Sequence, residues 1–101
     1  MVVDFAETAD WDIKDNRISD EFLETVAGNL KAVPFSDRDI CEGNVRGRTI
    51  KGFDFIFIVG RVDDKVVVTV GGVRRHRDEE ALRKALKLAE RFATLRGATG
   101  L

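Results

Sequence analysis

The sequence predicts an α+β fold in the order β-α-β-β-β-α, with a three- to four-stranded, mainly antiparallel sheet and two helices on one face. Three observations carry this. Two stretches place apolar residues at helical spacing behind good N-caps. Three stretches between them are rich in β-branched and aromatic residues. The short gaps separating those three hold turn residues. A chain of 101 residues makes one domain, spanning residues 1–101. A chain of that size buries roughly two-thirds of its unfolded surface, enough for a core without staples.

Val2 to Phe5 reads as a short strand. Glu7 to Arg17 is polar, with Trp11 and Ile13 two apart, and reads as a loop or an irregular edge strand. Ile18 to Val33 is the first helix. Ser19 is its N-cap, and Asp20 and Glu21 put negative charge where the macrodipole favours it. Ile18 and Leu23 are spaced for a hydrophobic staple. Phe22, Leu23, Val26, Ala27 and Leu30 form the apolar stripe, and Pro34 ends the helix.

Phe35 to Gly43 reads as a connecting loop. Three strands are then expected over Val45 to Ile50, Phe53 to Val62 and Lys65 to Val73, with turns at Lys51-Gly52 and Asp63-Asp64. The last two strands make the clearest hairpin. Asp78 to Arg96 is the second helix, capped by Asp78 and facing inward through Leu82, Ala85, Leu86, Ala89, Phe92 and Ala93. Gly97 suits the position after its end, and Ala98 to Leu101 are expected to fray.

With a two-residue turn at Asp63-Asp64, Val62 faces Lys65 and the pairing continues from there. One face then carries Phe53, Phe55, Phe57, Val59, Val66, Val68 and Val70, bulky enough to lie under the helices. The other carries Ile56, Ile58, Gly60, Val67, Thr69 and Gly71 and is flatter. Two helices on one face leave that second face open. Either the segment around Trp11 covers it or a second copy does. Residues 7–17 are polar, which favours a homodimer through Ile56, Ile58, Val67 and Thr69.

Charge is unevenly distributed. Residues 1–45 hold eleven acidic and four basic side chains, a balance of −7; residues 46–101 hold thirteen basic and seven acidic, a balance of +6. Fields of this kind steer partners. Arg74-Arg75-His76-Arg77 precedes a helix N-terminus, and Arg46, Arg48 and Lys51 extend the basic patch if they lie on the same sheet. Such a patch suits phosphate or nucleic acid. Against this, Asp78, Glu79 and Glu80 follow immediately and already occupy the helix dipole.

No motif specifies a reaction. Asp54 followed by Asp63-Asp64-Lys65 has the residue types of a nuclease metal site, but nine residues of strand separate the first two carboxylates by about 30 Å. Cys41 and His76 are each alone of their type; Cys41 reads as a part-buried small residue and His76 as a surface one. No metal ligands and no cofactor are expected. A sole cysteine cannot form an intramolecular disulfide, and the N-terminus lacks the basic and apolar regions of a secretion signal. The longest apolar run, Phe55 to Val59, is too short to span a bilayer. The expected setting is cytoplasmic. The leading functional reading is a non-catalytic interaction domain that self-associates. The second is a module binding nucleic acid or phosphate through Arg74 to Arg77, and an enzyme ranks third.

Overall fold

The computed structural model describes the backbone of residues 1–95 and side chains as far as Arg91. The expectations for Phe92, Ala93, Arg96, Gly97 and residues 98–101 lie outside what it describes. The elements are β1 (Val2–Phe5), α1 (Glu7–Asp15), α2 (Asp20–Ala32), β2 (Ile40–Glu42), β3 (Val45–Ile50), β4 (Phe53–Val62), β5 (Lys65–Arg75) and α3 (Glu79–Leu95). The five strands form one sheet in the order β1-β5-β4-β3-β2. All neighbours are antiparallel except β1, which runs parallel to β5. The class is α+β as expected, but the sheet is mixed and larger, and the described residues form three helices. No described helix is long and apolar enough to cross a membrane.

Three two-residue turns set the register. Lys51-Gly52 and Asp63-Asp64 both have two positive φ angles, 49° and 84° in the first and 48° and 65° in the second. That is the left-handed geometry whose twist matches the flanking strands. Gly43-Asn44 joins β2 to β3, with φ of 58° at the glycine. The strand β2 falls inside the stretch read as a loop. It is only three residues long, and Ile40-Cys41-Glu42 is too short to show a period.

The hairpin of β4 and β5 pairs from Val62/Lys65 to Phe57/Val70 as the two-residue turn dictates. A bulge follows, because Phe57 faces Val70 while Ile56 faces Gly72. Gly71 is the extra residue. The bulge inverts the remaining side chains of β5. Val73 joins the core opposite Phe55, and Arg74 comes to lie opposite Asp54 on the other side.

The helices do not share a face, which corrects the expectation of two on one side. Val26 and Leu30 of α2 pack with Phe55, Phe57, Val59, Val68 and Val70. Phe22 meets Phe53 and Phe55 with ring centroids 5.9 and 6.0 Å apart. Leu82 and Leu86 of α3 pack instead with Val45 on the opposite side, with Ile40, Ile56 and Ile58 around them. Gly47 permits this approach, since a Cβ there would lie 2.9 Å from Leu82 Cδ1. Both faces of the hairpin are apolar, and on the second face the chain's own last helix covers β2 and β3 and reaches Ile56 and Ile58 of β4. The expected contacts of Leu82 and Leu86 with Phe55 and Phe57 are replaced by these.

Residues 7–17 were expected to lack helix, yet Glu7–Asp15 is α1. Its N-cap, Ala6, offers no side-chain hydrogen bond, and its inward stripe is only Ala9 and Ile13. Tertiary bonds hold it instead. α1 lies along the edge of β5 just beyond the end of β1. Ala6 N–H donates to Val70 O (2.8 Å), Thr8 Oγ1 to Gly71 O (2.6 Å), and Val73 N–H to Asp12 Oδ2 (2.9 Å). The other two helices begin as expected. Ser19 Oγ accepts from Phe22 N–H at 3.1 Å, and Asp78 Oδ1 accepts from Ala81 N–H at 2.7 Å.

Candidate functional site

The basic residues singled out in the sequence divide between the two faces of the sheet. Arg46 and Arg48 lie on the α2 face, both bound to Asp39. Arg48 reaches both carboxylate oxygens, with Nε 2.7 Å from Oδ1 and Nη2 2.9 Å from Oδ2, and Arg46 Nε is 3.0 Å from Oδ2. Arg48 also donates to Asn29 Oδ1 at 3.0 Å and lies over the Phe57 ring. The Asp39 side chain is fully buried. Burial pushes its carboxyl up, but hydrogen bonds from Arg48 and Arg46, reinforced by their charges, outweigh that and hold it below 3.8. These three residues tie the loop after α2 to the sheet.

Arg74 lies on the α3 face beside Asp54 and donates to Ala81 O at 3.4 Å. Arg75 turns to the other face and stacks over Phe53, 5.4 Å from the ring centroid. His76 and Arg77 follow at the end of the strand, and His76 N–H donates to Gly52 O at 2.8 Å. That bond places Arg74 to Arg77 beside the Lys51-Gly52 turn. Among the described residues, no side-chain carboxylate forms an ion pair with Arg38, Lys51, Arg74, Arg75 or Arg77. Among the described residues, one end of the sheet is therefore rimmed by cations that make no direct ion pair.

Within that rim sits a cluster drawn from β3, β4 and the residue that follows β5. His76 Nδ1 is 2.8 Å from Asp54 Oδ1, and Thr49 Oγ1 donates to the same oxygen at 2.6 Å. The Asp54 side chain is 1% exposed and that of His76 35%, so the carboxylate is sealed while the imidazole reaches solvent. Asp54 Oδ2 is buried with no hydrogen-bond partner. A carboxylate only accepts, so Nδ1 carries a proton, and a neutral ring then has its lone pair on Nε2. Sequence reasoning missed this cluster. The available signal was an aspartate between two phenylalanines in Phe-Asp-Phe-Ile-Phe, a polar residue on a stretch otherwise built for the core. Asp54 and the Asp63-Asp64 turn lie at opposite ends of β4. Among the described residues no three metal-ligating side chains come together.

Thr49 also lines a groove of about 540 Å³. The groove exists because β2 pairs with β3 only as far as Gly47, leaving Arg48 to Ile50 at the sheet edge. Asn29, Val33, Arg38, Ile50 and Leu82 surround it. Cys41, expected to be part-buried, is exposed on β2.

The four residues assigned to self-association all lie on the α3 side. α3 covers β2 and β3, and Ile56 and Ile58 pack against its cluster. Val67 and Thr69 are half-buried, paired with Val2 and Asp4 of β1. Val2 and Val62, on the same side, are 42% and 59% exposed. Trp11, 66% exposed, lies on α1 one turn from Thr8. No protein-family model matches the chain, and neither does any curated protein or solved structure.

Proposed function

We propose that the protein is a small interaction module that pairs with a second copy of itself through the part of the sheet face that α3 leaves open. The observation that carries this reading is the strip of Val2, Ile58, Val62 and Val67 with Thr69 beside it, flattened at its centre by Gly60. It is apolar, contiguous across β1, β5 and β4, and partly exposed. Its ends bear opposite charges, with Asp4 beside Thr69 and Lys65 at the hairpin tip. Two copies stacked with strands reversed bring each Asp4 over the other copy's Lys65, which fixes orientation more than it adds affinity. Because Ile58 also supports α3, Val67→Lys is the cleaner disruption. Sedimentation equilibrium should give a dimer for the natural chain and a monomer for Val67→Lys, with unchanged circular dichroism. A natural chain that is monomeric at high micromolar concentration refutes the reading.

The cationic rim favours a second reading, binding of single-stranded nucleic acid. Binding through phosphates makes affinity fall with salt, with a log–log slope of about −0.7 per phosphate on single strands. Fluorescence anisotropy with a labelled oligonucleotide measures it, and changing Arg74, Arg75 and Arg77 together to Ala should flatten the slope. Absence of binding at low salt removes this reading.

A further inference from the structure

We propose that Asp54 and His76 form a proton-accepting dyad that cleaves single-stranded RNA, with His76 as catalytic base and Asp54 as its positioning residue; this rests on the nucleic-acid reading of the basic end. The argument starts from Asp54. Burying a carboxylate costs several kcal/mol unless it is well paired. Among the described residues, one oxygen of Asp54 has no hydrogen-bond partner, and the ionisable group in direct contact with it is a half-exposed histidine just past a strand end. As a structural device this is poor, because an apolar residue at that position would continue the strand's pattern. As a catalytic device it is apt. A carboxylate fixed by Thr49 holds Nδ1–H, sets the tautomer, and stabilises the imidazolium that forms when Nε2 takes a proton.

The surroundings select the substrate. Arg77 follows His76 in sequence, Arg74 neighbours Asp54 across the strand pair, and Lys51 sits on the turn that His76 bonds, while Arg75 stays on the other face. Cations around one base suit a phosphodiester whose nucleophile is already in the substrate. Thr49 belongs both to the cluster and to the groove, where Val33, Ile50 and Leu82 offer an apolar wall to a nucleobase and Arg38 a charge to a phosphate. In the step, Nε2 removes the proton of a ribose 2′-hydroxyl. The 2′-oxygen forms a bond to the adjacent phosphorus as the bond from phosphorus to the 5′-oxygen breaks. The leaving oxygen takes a proton from water, and the imidazolium returns its own to the hydroxide so formed. The products are a 2′,3′-cyclic phosphate and a 5′-hydroxyl end. Nothing is oxidised or reduced.

The test uses a fluorescein-labelled RNA dodecamer of mixed sequence and the DNA of the same sequence, with the natural chain and His76→Ala purified in parallel. RNA should be cut to fragments ending in cyclic phosphate, and DNA should bind but stay intact. His76→Ala should slow cleavage by a factor of about 100 or more with little change in anisotropy-measured affinity. Asp54→Asn should slow it too and remove the downfield imidazole N–H proton resonance, which a purely structural change elsewhere would leave. If Asp54→Asn does not fold, the exposed His76→Ala change alone decides. RNA that is bound but uncut, or cut equally by His76→Ala, overturns the dyad and leaves the binding reading standing. Failure to bind either oligonucleotide overturns both.

Discussion

Asp39 serves two arginines with one carboxylate, and its charge is required for both. Its pKa is lowered in the folded chain, so its contribution to stability is full above the ordinary carboxylate range. That contribution is lost as pH falls through the lowered value. Denaturant unfolding measured from neutral to acid pH should show the loss for the natural chain, and Asp39→Asn should remove it from the profile. Asp39→Ala leaves Arg48, 8% exposed, without its ion pair and should cost about 3–5 kcal/mol. Phe57 makes a comparable demand through packing. It is 1% exposed in the centre of the α2-side core, and Phe57→Ala should also cost about 3–5 kcal/mol, read as a fall in denaturation midpoint. Individual residues were legible where one contact decides them. Ser19 and Asp78 as caps, and the alternate phenylalanines of β4 as core, follow from short-range chemistry. Asp54 and His76 were not, because 22 positions separate them in sequence and only the bulge at Gly71, which shifts the end of β5 by one residue, sets them side by side.

Among the elements, those with a strong internal period were readable and those defined by neighbours were not. α2 and α3 carry stripes of their own. α1 has two inward residues and takes its form from hydrogen bonds to β5, which no local pattern announces. Val73 N–H depends on Asp12, so Asp12→Ala should cost about 1.5–3 kcal/mol, the range for a hydrogen bond to a charged group, and circular dichroism should show lost helix. The turn between β4 and β5 offers the opposite experiment. Asp63 and Asp64 hold positive φ without glycine's freedom. Changing the pair to Asn-Gly, the sequence this turn type favours, should raise stability by roughly 1 kcal/mol, measured as a higher Tm. At Gly47 the backbone of β3 and the leucines of α3 touch directly, and Gly47→Val should cost about 1–3 kcal/mol through forced displacement of the helix.

For the whole molecule, the placement of α3 accounts for what was misjudged. Both faces of the hairpin are apolar, and that much could be read. Which helix takes which face is a matter of connection length and chirality rather than composition, so both helices were placed on the phenylalanine face. The open strip that remains is narrower than the full face because α3 covers part of it. The pairing of β1 with β5 has a further consequence, in time rather than space. Val2 finds its partner, Val67, only 65 positions later in the chain. At a synthesis rate of about 5–20 residues per second, the first strand waits some 3–13 seconds before its partner strand has been made. During that interval Val2 to Phe5 is without the strand it pairs with. Slowing translation between β1 and β5 should therefore lower the yield of correctly folded chain, while deleting residues 1–5 should remove that sensitivity at the expense of stability. Pulse-labelled synthesis followed by limited proteolysis measures both.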